Sequence, residues 1–366
     1  MPTALTTLTT HTDITDWYRD RIRRRARFGS PGQLPRVLPR SRRELTSSGV
    51  TRATIRDAYS RIERGVFVHN DGLLTETTSS GFARLRRIPA ATLVRAHLLL
   101  HPGHISTGFG AASLSGMRYF VDEEVLEFLV SRGAGCANSA DHLLLTRTRA
   151  LQAIREKSLT PDPTFTDHLC TAPGLTLARM LAILDVPDAA RAARWPVPDL
   201  REVNPAFTRQ FIRQVQVSDA FHQCRCALAP CAPELLTGPP VLRSRILPDR
   251  ARTVLSATNV GAESPPETLL RLVLADLAPG LRTQIPVFRS NGKLLTSADM
   301  GWSDQAVYIF YDGEHHQLSE QRDHDSEVLA ELQRNGGQVF RVTAGQLKTV
   351  AEVNKLREMV GDALGL

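Results

Sequence analysis

The chain has 366 residues, of which 42% are hydrophobic and 23% are charged, and its formal net charge is +7 at pH 7. This composition excludes a fibrous or an intrinsically disordered protein, and the length favours two or three domains over a single core. Neither the Thr-rich residues 1–17 nor any later stretch has the ~20 apolar residues of a membrane span, so we expect a cytoplasmic protein without a signal or an anchor.

The positive charge is concentrated at the N-terminus. Residues 1–43 hold ten arginines and three aspartates, a net charge of +7, whereas residues 262–366 hold fifteen acidic and ten basic residues, a net charge of −5. A run of arginines is either a solvated helix face or an arm that contacts phosphates and releases counterions. We predict a DNA-contacting arm that includes Arg23, Arg24 and Arg25.

A helix-turn-helix pattern follows this basic segment. Residues 41–48 predict a short helix, Gly49 breaks it, and Thr51 caps a second helix with apolar residues at 55, 58, 59 and 62. The alternative interpretation is an amphipathic helix pair that only packs within the protein and does not bind DNA.

The second helix would turn Arg52, Thr54 and Arg56 outward, where they suit base edges and phosphates in the major groove of double-stranded DNA. The run 66–68 and the turn at 70–72 predict a hairpin that would form a wing beside the helices.

Residues 85–261 predict a mainly helical connecting domain. Helices are expected at 93–100 and 175–184, and proline-rich stretches separate the segments. The dipeptides Asp141-His142 and Asp167-His168 are expected to be surface turns.

The five cysteines are an odd number without a visible signal peptide, which indicates reduced thiols. His222, Cys224, Cys226 and Cys231 could hold zinc. Their spacing departs from paired CxxC motifs, so structural thiols are the favoured interpretation.

The C-terminal region predicts the element order α-β-β-β-α-β-α. The pattern is a helix at 267–277, strands at 284–288, 294–300 and 306–311, a helix at 320–334, a strand at 338–342 and a helix at 344–366. Asn291-Gly292 predicts the hairpin turn between the first two strands. This order resembles the core of the restriction-endonuclease-like folds, the PD-(D/E)xK superfamily.

Phosphodiester cleavage calls for a hard divalent cation held by oxygen ligands, such as Mg²⁺ or Mn²⁺. Asp299 lies at the end of a predicted strand, and Glu267 lies on the predicted helix before it. The two carboxylates therefore fit this requirement.

Three segments resemble known families. Residues 42–67, RRELTSSGVTRATIRDAYSRIERGVF, resemble the winged-helix N-terminal domain of AbiEi-type antitoxins of abortive-infection systems. Residues 96–117 are similar to the segment that accompanies this domain in actinobacterial proteins, which commonly end in the endonuclease-like domain of unknown function 559.

The C-terminal resemblance covers residues 262–347. ESPPET at 263–268 matches the family's opening motif, with Glu267 as the helix acid, and Asp299 in ADMGW matches its metal-binding aspartate. YDGEHH at 311–316 matches its next element, and Asp325, Leu332, Gly336 and Arg341-Val342-Thr343 match its closing helix and strand.

One position departs from the family, because Phe310 stands where a glutamate is usual and no lysine follows. The related very-short-patch mismatch-repair endonucleases also have an aromatic residue there. By that resemblance, the Tyr311 carbonyl would join Glu267 and Asp299 at the metal, and His315 or His316 would assist the water or the leaving group. Asp312 completes the candidate catalytic residues.

The sequence therefore predicts an α+β multidomain protein. It places a basic arm and a winged helix-turn-helix in 1–84, the connecting domain in 85–261 and a restriction-endonuclease-like α/β domain in 262–366. Two functions stay open: a metal-dependent DNA endonuclease, or a non-catalytic regulator of the AbiEi antitoxin type with a degenerate nuclease domain. A toxin or another defence-system protein is a further expected partner.

Overall fold

The computed structural model describes residues 5–7, 16–18, 20–21, 37–74, 84, 87–132, 142–225, 248–313 and 319–366, with the backbone alone at 248 and 319–326. The chain divides into two compact units. The terminal unit comprises Met1–Phe28, Val197–Pro230 and Ala257–Leu366, and the central unit comprises Gly29–Pro196 and Cys231–Ser256. The N-terminal residues thus belong to the same unit as the C-terminal region.

The chain is a mixed α/β protein. Its described strands are β1 (Leu5–Thr7), β2 (Arg40–Ser41), β3 (Tyr59–Glu63), β4 (Val66–His69), β5 (Ile105–Thr107), β6 (Leu126–Ser131), β7 (Leu143–Thr148), β8 (Arg282–Arg289), β9 (Leu294–Trp302), β10 (Val307–Asp312) and β11 (Gln338–Thr343). Its described α-helices are α1 (Arg42–Ser47), α2 (Arg52–Ala58), α3 (Ala90–Leu100), α4 (Gly108–Leu114), α5 (Leu151–Arg155), α6 (Pro173–Asp185), α7 (Ala189–Arg194), α8 (Arg209–Cys224), α9 (Pro248–Ser256), α10 (Pro265–Leu274), α11 (Ser319–Arg334) and α12 (Val350–Leu364). None of the helices in the described ranges has both the length and the apolar character that a membrane crossing requires.

The central unit begins with two short helices and a three-stranded antiparallel sheet in the order β2-β4-β3. The side chain of Thr51 accepts a hydrogen bond of 3.1 Å from the Thr54 amide, as the prediction of a helix cap at Thr51 requires. Leu45, Ile55 and Phe67 form the small core that joins the helices to the sheet.

Two details of this region differ from the prediction. Tyr59 and Ile62 were expected on the second helix but lie on β3, because Tyr59 already has extended backbone angles and stacks edge-on against His69 of β4. The hairpin turns at Gly65, whose φ of +82° favours glycine, and it joins β3 to β4. The predicted turn at 70–72 is instead a single 3-10 turn, Asn70–Gly72.

The rest of the central unit contains the helices predicted at 93–100 and 175–184, as parts of α3 and α6. It also contains a sheet in the order β5-β6-β7 that no sequence pattern predicted. Residues 126–130 of β6 are all buried, so the strand lacks the alternation of apolar and polar residues that reveals a half-exposed strand.

Buried ion pairs hold the helices of the central unit to its loops and sheet. Arg95 Nε lies 2.6 Å from Asp162 Oδ2, Arg191 Nε lies 2.6 Å from Glu124 Oε1, and Arg179 pairs with Glu127. The prediction that Asp167-His168 is a surface turn is wrong for His168, because its side chain is 2% exposed and stacks on Phe165. Asp141 lies outside the described residues.

The terminal unit contains the predicted element order, as α10-β8-β9-β10-α11-β11-α12. Its five-stranded sheet has the order β1-β8-β9-β10-β11, with β10 and β11 parallel and the other pairs antiparallel. The addition of β1 to the edge of β8 was not predicted. Ile285, Val287, Ala298, Tyr308 and Leu332 form the core between this sheet and α11.

Gly301 permits the close approach of β9 to β10. Its φ is +154°, and a Cβ atom there would lie 2.1 Å from the carbonyl oxygen of Val307. The glycine of the ADMGW motif therefore has a steric role two residues after the candidate acid Asp299.

Candidate functional site

Asp299 lies where β9 and β10 separate. Their antiparallel pairing runs from Trp302 and Val307 to Met300 and Ile309, and β10 then continues to Asp312 beside β11. The backbone amide of Tyr311 donates a hydrogen bond of 2.7 Å to Asp299 Oδ2. The Asp299 carboxylate thus accepts the hydrogen bond of a strand amide that lies beyond the end of the β9–β10 pairing. This contact orients the carboxylate and meets the hydrogen-bonding requirement of the backbone.

Glu267 lies in the first turn of α10, after the N-cap Ser264. Its Oε1 accepts a hydrogen bond of 2.7 Å from Ser264 Oγ, and its Oε2 accepts one of 2.9 Å from the Glu263 amide. Glu267 is 8% exposed, so these contacts hold a nearly buried carboxylate in one orientation. Each oxygen keeps further lone pairs for another donor or a cation.

The two carboxylates interact electrostatically. Burial raises the pKa of Glu267 well above its usual value, and the charge of Asp299 raises the pKa further. Burial also raises the pKa of Asp299 to about 6; the Tyr311 hydrogen bond opposes this rise and the charge of Glu263 adds to it. The residues that the sequence proposed as an acid pair therefore lie within mutual electrostatic reach, where a bound cation would relieve their repulsion.

Three residues of this site were missed in the sequence. Gln284 of β8 lies opposite Asp299 in the register that pairs Thr283 with Met300 and Ile285 with Ala298. Its φ of +55° is uncommon for a residue other than glycine, and it is 2% exposed. Counting outward from the turn at residues 291–292 would have paired Gln284 with Asp299.

The other two missed residues are Glu263 and Arg21. Glu263 belongs to the ESPPET motif but was given no role, and its charge acts on Asp299. Arg21 Nη1 donates a hydrogen bond of 2.9 Å to Gln284 Oε1, and Arg21 Nη2 lies 4.0 Å from Glu263 Oε1. No sequence signal connects Arg21 to a site more than 240 residues away.

A buried aspartate positions the acid-bearing segment. Asp219 of α8 accepts hydrogen bonds from the Asn259 amide at 2.8 Å, from Thr268 Oγ1 at 2.8 Å and from Arg271 Nη2 at 3.0 Å. Asp219 therefore ties the loop before Glu263 to α10, which carries Glu267.

Asp312 has a different environment from the acid pair. Its Oδ2 lies 2.5 Å from Arg341 Nη2. Alternation along β10 puts Asp312 on the same face of the sheet as Phe310 and Tyr308. A pocket of about 160 Å³ on this side is lined by Thr296, Asp299, Phe310, Tyr311, Asp312, Val328, Leu329 and Arg341. Asp299 and Asp312 thus border the same pocket, but Arg341 already forms an ion pair with the Asp312 carboxylate.

Several other candidate residues from the sequence are not placed at this site. His315 and His316 lie outside the described residues, as do Arg23, Arg24 and Arg25. Cys226 and Cys231 of the possible zinc set also lie outside them, whereas His222 Nδ1 lies 2.7 Å from the Ser218 carbonyl oxygen and the Cys224 thiol donates to the Phe221 carbonyl.

The donor set suits a hard cation of the magnesium type. Within the described ranges, no group of three or more His, Cys, Asp or Glu side chains is arranged to hold a metal ion. Mg²⁺ often takes only one or two protein carboxylates and retains several waters, so Glu267 and Asp299 fit this ion. A role for the Tyr311 carbonyl stays a prediction.

In the central unit, Arg52, Thr54 and Arg56 are all exposed on α2. Arg56 Nε lies 2.8 Å from Asp57 Oδ1 in an ion pair that is open to solvent. The three side chains are therefore accessible to a ligand on the outer face of the helix.

Comparison with known proteins does not place the chain in a family. No family model matches the sequence, and no match was found among curated proteins. The crystal structure of the RV2827C protein from Mycobacterium tuberculosis is similar over 70% of this chain and 87% of that chain, with 14% identity and a TM-score of 0.30.

Proposed function

We propose that the protein is a DNA endonuclease that depends on Mg²⁺ or Mn²⁺. The carrying observation is that two carboxylates with raised pKa values, Glu267 and Asp299, lie within electrostatic reach of each other. Asp299 lies at the point where β9 and β10 separate. Asp299 and Glu267 would hold the cation, which would supply neutralisation of phosphate charge and acidification of water.

The reaction is hydrolysis of a phosphodiester. A water oxygen forms a bond to phosphorus, a P–O ester bond breaks, and the leaving oxygen takes up a proton. The Tyr311 amide keeps Asp299 oriented, and Ser264 and the Glu263 amide keep Glu267 oriented, so neither acid has to be reorganised during the reaction. His315 and His316 are the proposed groups for proton transfer.

The helix pair α1 and α2 with the β3–β4 hairpin is the proposed winged helix-turn-helix. Exposed Arg52, Thr54 and Arg56 would contact double-stranded DNA, and the Arg-rich N-terminal segment would add phosphate contacts. The terminal unit would then be the restriction-endonuclease-like domain that cuts a strand.

A non-catalytic DNA-binding regulator of the AbiEi antitoxin type is the second candidate. Phe310 in place of a carboxylate and the Arg341 ion pair at Asp312 favour it, because both remove ligands from a divalent cation. In that case the terminal unit would bind DNA or a partner protein, such as a toxin, without cutting.

Plasmid cleavage separates the two candidates. Purified wild-type protein should nick or cut plasmid DNA with Mg²⁺ or Mn²⁺ and not with EDTA, and Asp299→Asn should abolish cleavage while its affinity for a duplex stays within about twofold. Asp304→Asn is the matched control, since Asp304 is exposed in the turn between β9 and β10. Equal behaviour of wild type and Asp299→Asn would support the regulator.

A further inference from the structure

The N-terminal segment is built into the terminal unit rather than added to it. β1 pairs with β8 in the register that joins Leu5 to Arg289 and Thr7 to Val287. Tyr18 is 8% exposed, and its hydroxyl donates a hydrogen bond of 3.1 Å to the Val260 carbonyl, three residues before Glu263. The described parts of this segment therefore contact β8 and the loop before Glu263.

Arg21 reaches the acid site from this segment. Its guanidinium donates to Gln284 Oε1, lies 4.0 Å from Glu263 Oε1 and lies 5.4 Å from the centre of the Trp17 ring. Its positive charge lowers the pKa of Asp299, against the rise that burial causes. The Arg21 side chain is 28% exposed, so an incoming ligand can reach it.

Two other arginines of the terminal unit are paired with carboxylates. Arg341 pairs with Asp312, and the buried Arg271 pairs with Asp219. The end of β10 contributes Phe310, Tyr311 and Asp312, none of which is basic. Arg21 is a cation that the fold brings into contact with Gln284, which lies opposite Asp299 in the β8–β9 register.

We propose that Arg21 binds the phosphate that is cut and stabilises the negative charge that develops on its non-bridging oxygens. This role rests on the proposed endonuclease function. A guanidinium suits it because two of its N–H groups can meet two phosphate oxygens at once. Arg21 would turn from its contacts with Gln284 and Glu263 to the phosphate; it neither gives nor takes a proton in the hydrolysis.

The test compares wild type, Arg21→Ala and Arg21→Lys, with Lys293→Ala as the control for the loss of one exposed positive charge on the same unit. We expect Arg21→Ala to slow single-turnover cleavage with Mn²⁺ by about 10²- to 10³-fold, the size of effect seen when one charge-stabilising donor is removed. Arg21→Lys should recover part of this loss, and Lys293→Ala should cleave within about threefold of wild type.

Mn²⁺ binding, measured by electron paramagnetic resonance without DNA, provides a readout separate from cleavage. Removal of a positive charge beside the acids should tighten Mn²⁺ binding in Arg21→Ala by about two- to tenfold. Tighter Mn²⁺ binding together with slower cleavage is the combination that supports a phosphate-binding role.

Other combinations overturn it. Tighter Mn²⁺ binding with faster cleavage would show that Arg21 inhibits the enzyme by weakening cation binding. Weaker Mn²⁺ binding with a lower melting temperature would show that Arg21 has a structural role. Unchanged cleavage would also refute the proposal. Absence of cleavage by the wild type would instead refute the endonuclease function, and this inference with it.

Discussion

The Tyr311 amide donates its hydrogen bond to the side chain of Asp299 at the point where the strands carrying these two residues part. A strand that leaves its neighbour exposes unpaired backbone groups, and here a carboxylate satisfies one of them. The same contact fixes the orientation of the Asp299 carboxylate. The separation of β9 from β10 thus creates the candidate site and also provides the donor that orients it.

The charge of Asp299 should lower the stability of the metal-free protein at neutral pH. Burial raises the Asp299 pKa to about 6, so the folded state retains a proton that the unfolded state has lost between about pH 4 and 6. Stability from this group therefore falls as the pH rises through that window. In EDTA at pH 7.5, Asp299→Asn should raise the free energy of unfolding by on the order of 1 to 3 kcal/mol, measured by urea denaturation.

The gain should disappear at about pH 3, below the usual aspartate pKa of 3.8, where the wild-type carboxyl is largely protonated in both states. Asp304→Asn, an exposed substitution in the next turn, should change stability by less than about 0.5 kcal/mol at either pH. Equal or lower stability of Asp299→Asn at pH 7.5 would show that the acid pair carries no electrostatic strain.

A divalent cation should stabilise the fold in a pH-dependent way. Protons compete with the cation for Glu267 and Asp299, whose pKa values are both raised. Millimolar Mn²⁺ should therefore increase the melting temperature of the wild type by several degrees at pH 8 and much less at pH 5. Asp299→Asn should lose this increase, and a shift that persists in the variant would place the cation elsewhere.

DNA binding should depend on the exposed arginines of α2. The double substitution Arg52→Ala and Arg56→Ala removes two positive charges, so duplex affinity should fall and the slope of log Kd against log salt should flatten by about 1 to 2. Replacement of Arg23, Arg24 and Arg25 together should have an effect of the same kind. Fluorescence anisotropy at several salt concentrations measures both quantities.

The control for this series is Lys348→Ala, an exposed charge on the terminal unit. Its salt slope should match that of the wild type. If the α2 variant keeps the wild-type slope, the helix pair has a packing role and does not contact phosphate.

The buried carboxylate of Asp219 should contribute strongly to the stability of the terminal unit. Asp219→Ala leaves Arg271 and the Asn259 amide without their acceptor in a buried place, so it should cost about 3 to 5 kcal/mol. Asp276→Ala breaks the partly exposed ion pair with Arg357 and should cost less than about 1 kcal/mol. Urea denaturation measures both, and similar costs would contradict the positioning role of Asp219.

The sequence by itself determined much of the local structure and the two acids. Hydrophobic periodicity and turn residues predicted the element order from α10 to α12, the cap at Thr51 and the hairpin at 291–292, since these features depend on neighbouring residues. The chemistry of metal-assisted hydrolysis selected Glu267 and Asp299, and the structure places them within electrostatic reach.

Only the tertiary structure decided which distant groups complete the site. Tyr59 and Ile62 followed a helical spacing, yet pairing with β4 drew them into a strand. The buried β6 had no alternation to reveal it, and Arg21 joins Gln284 across 263 residues of sequence. Local patterns record which side of an element faces a core. They carry no information about which remote segment covers that core, because such contacts depend on the packing of the whole unit.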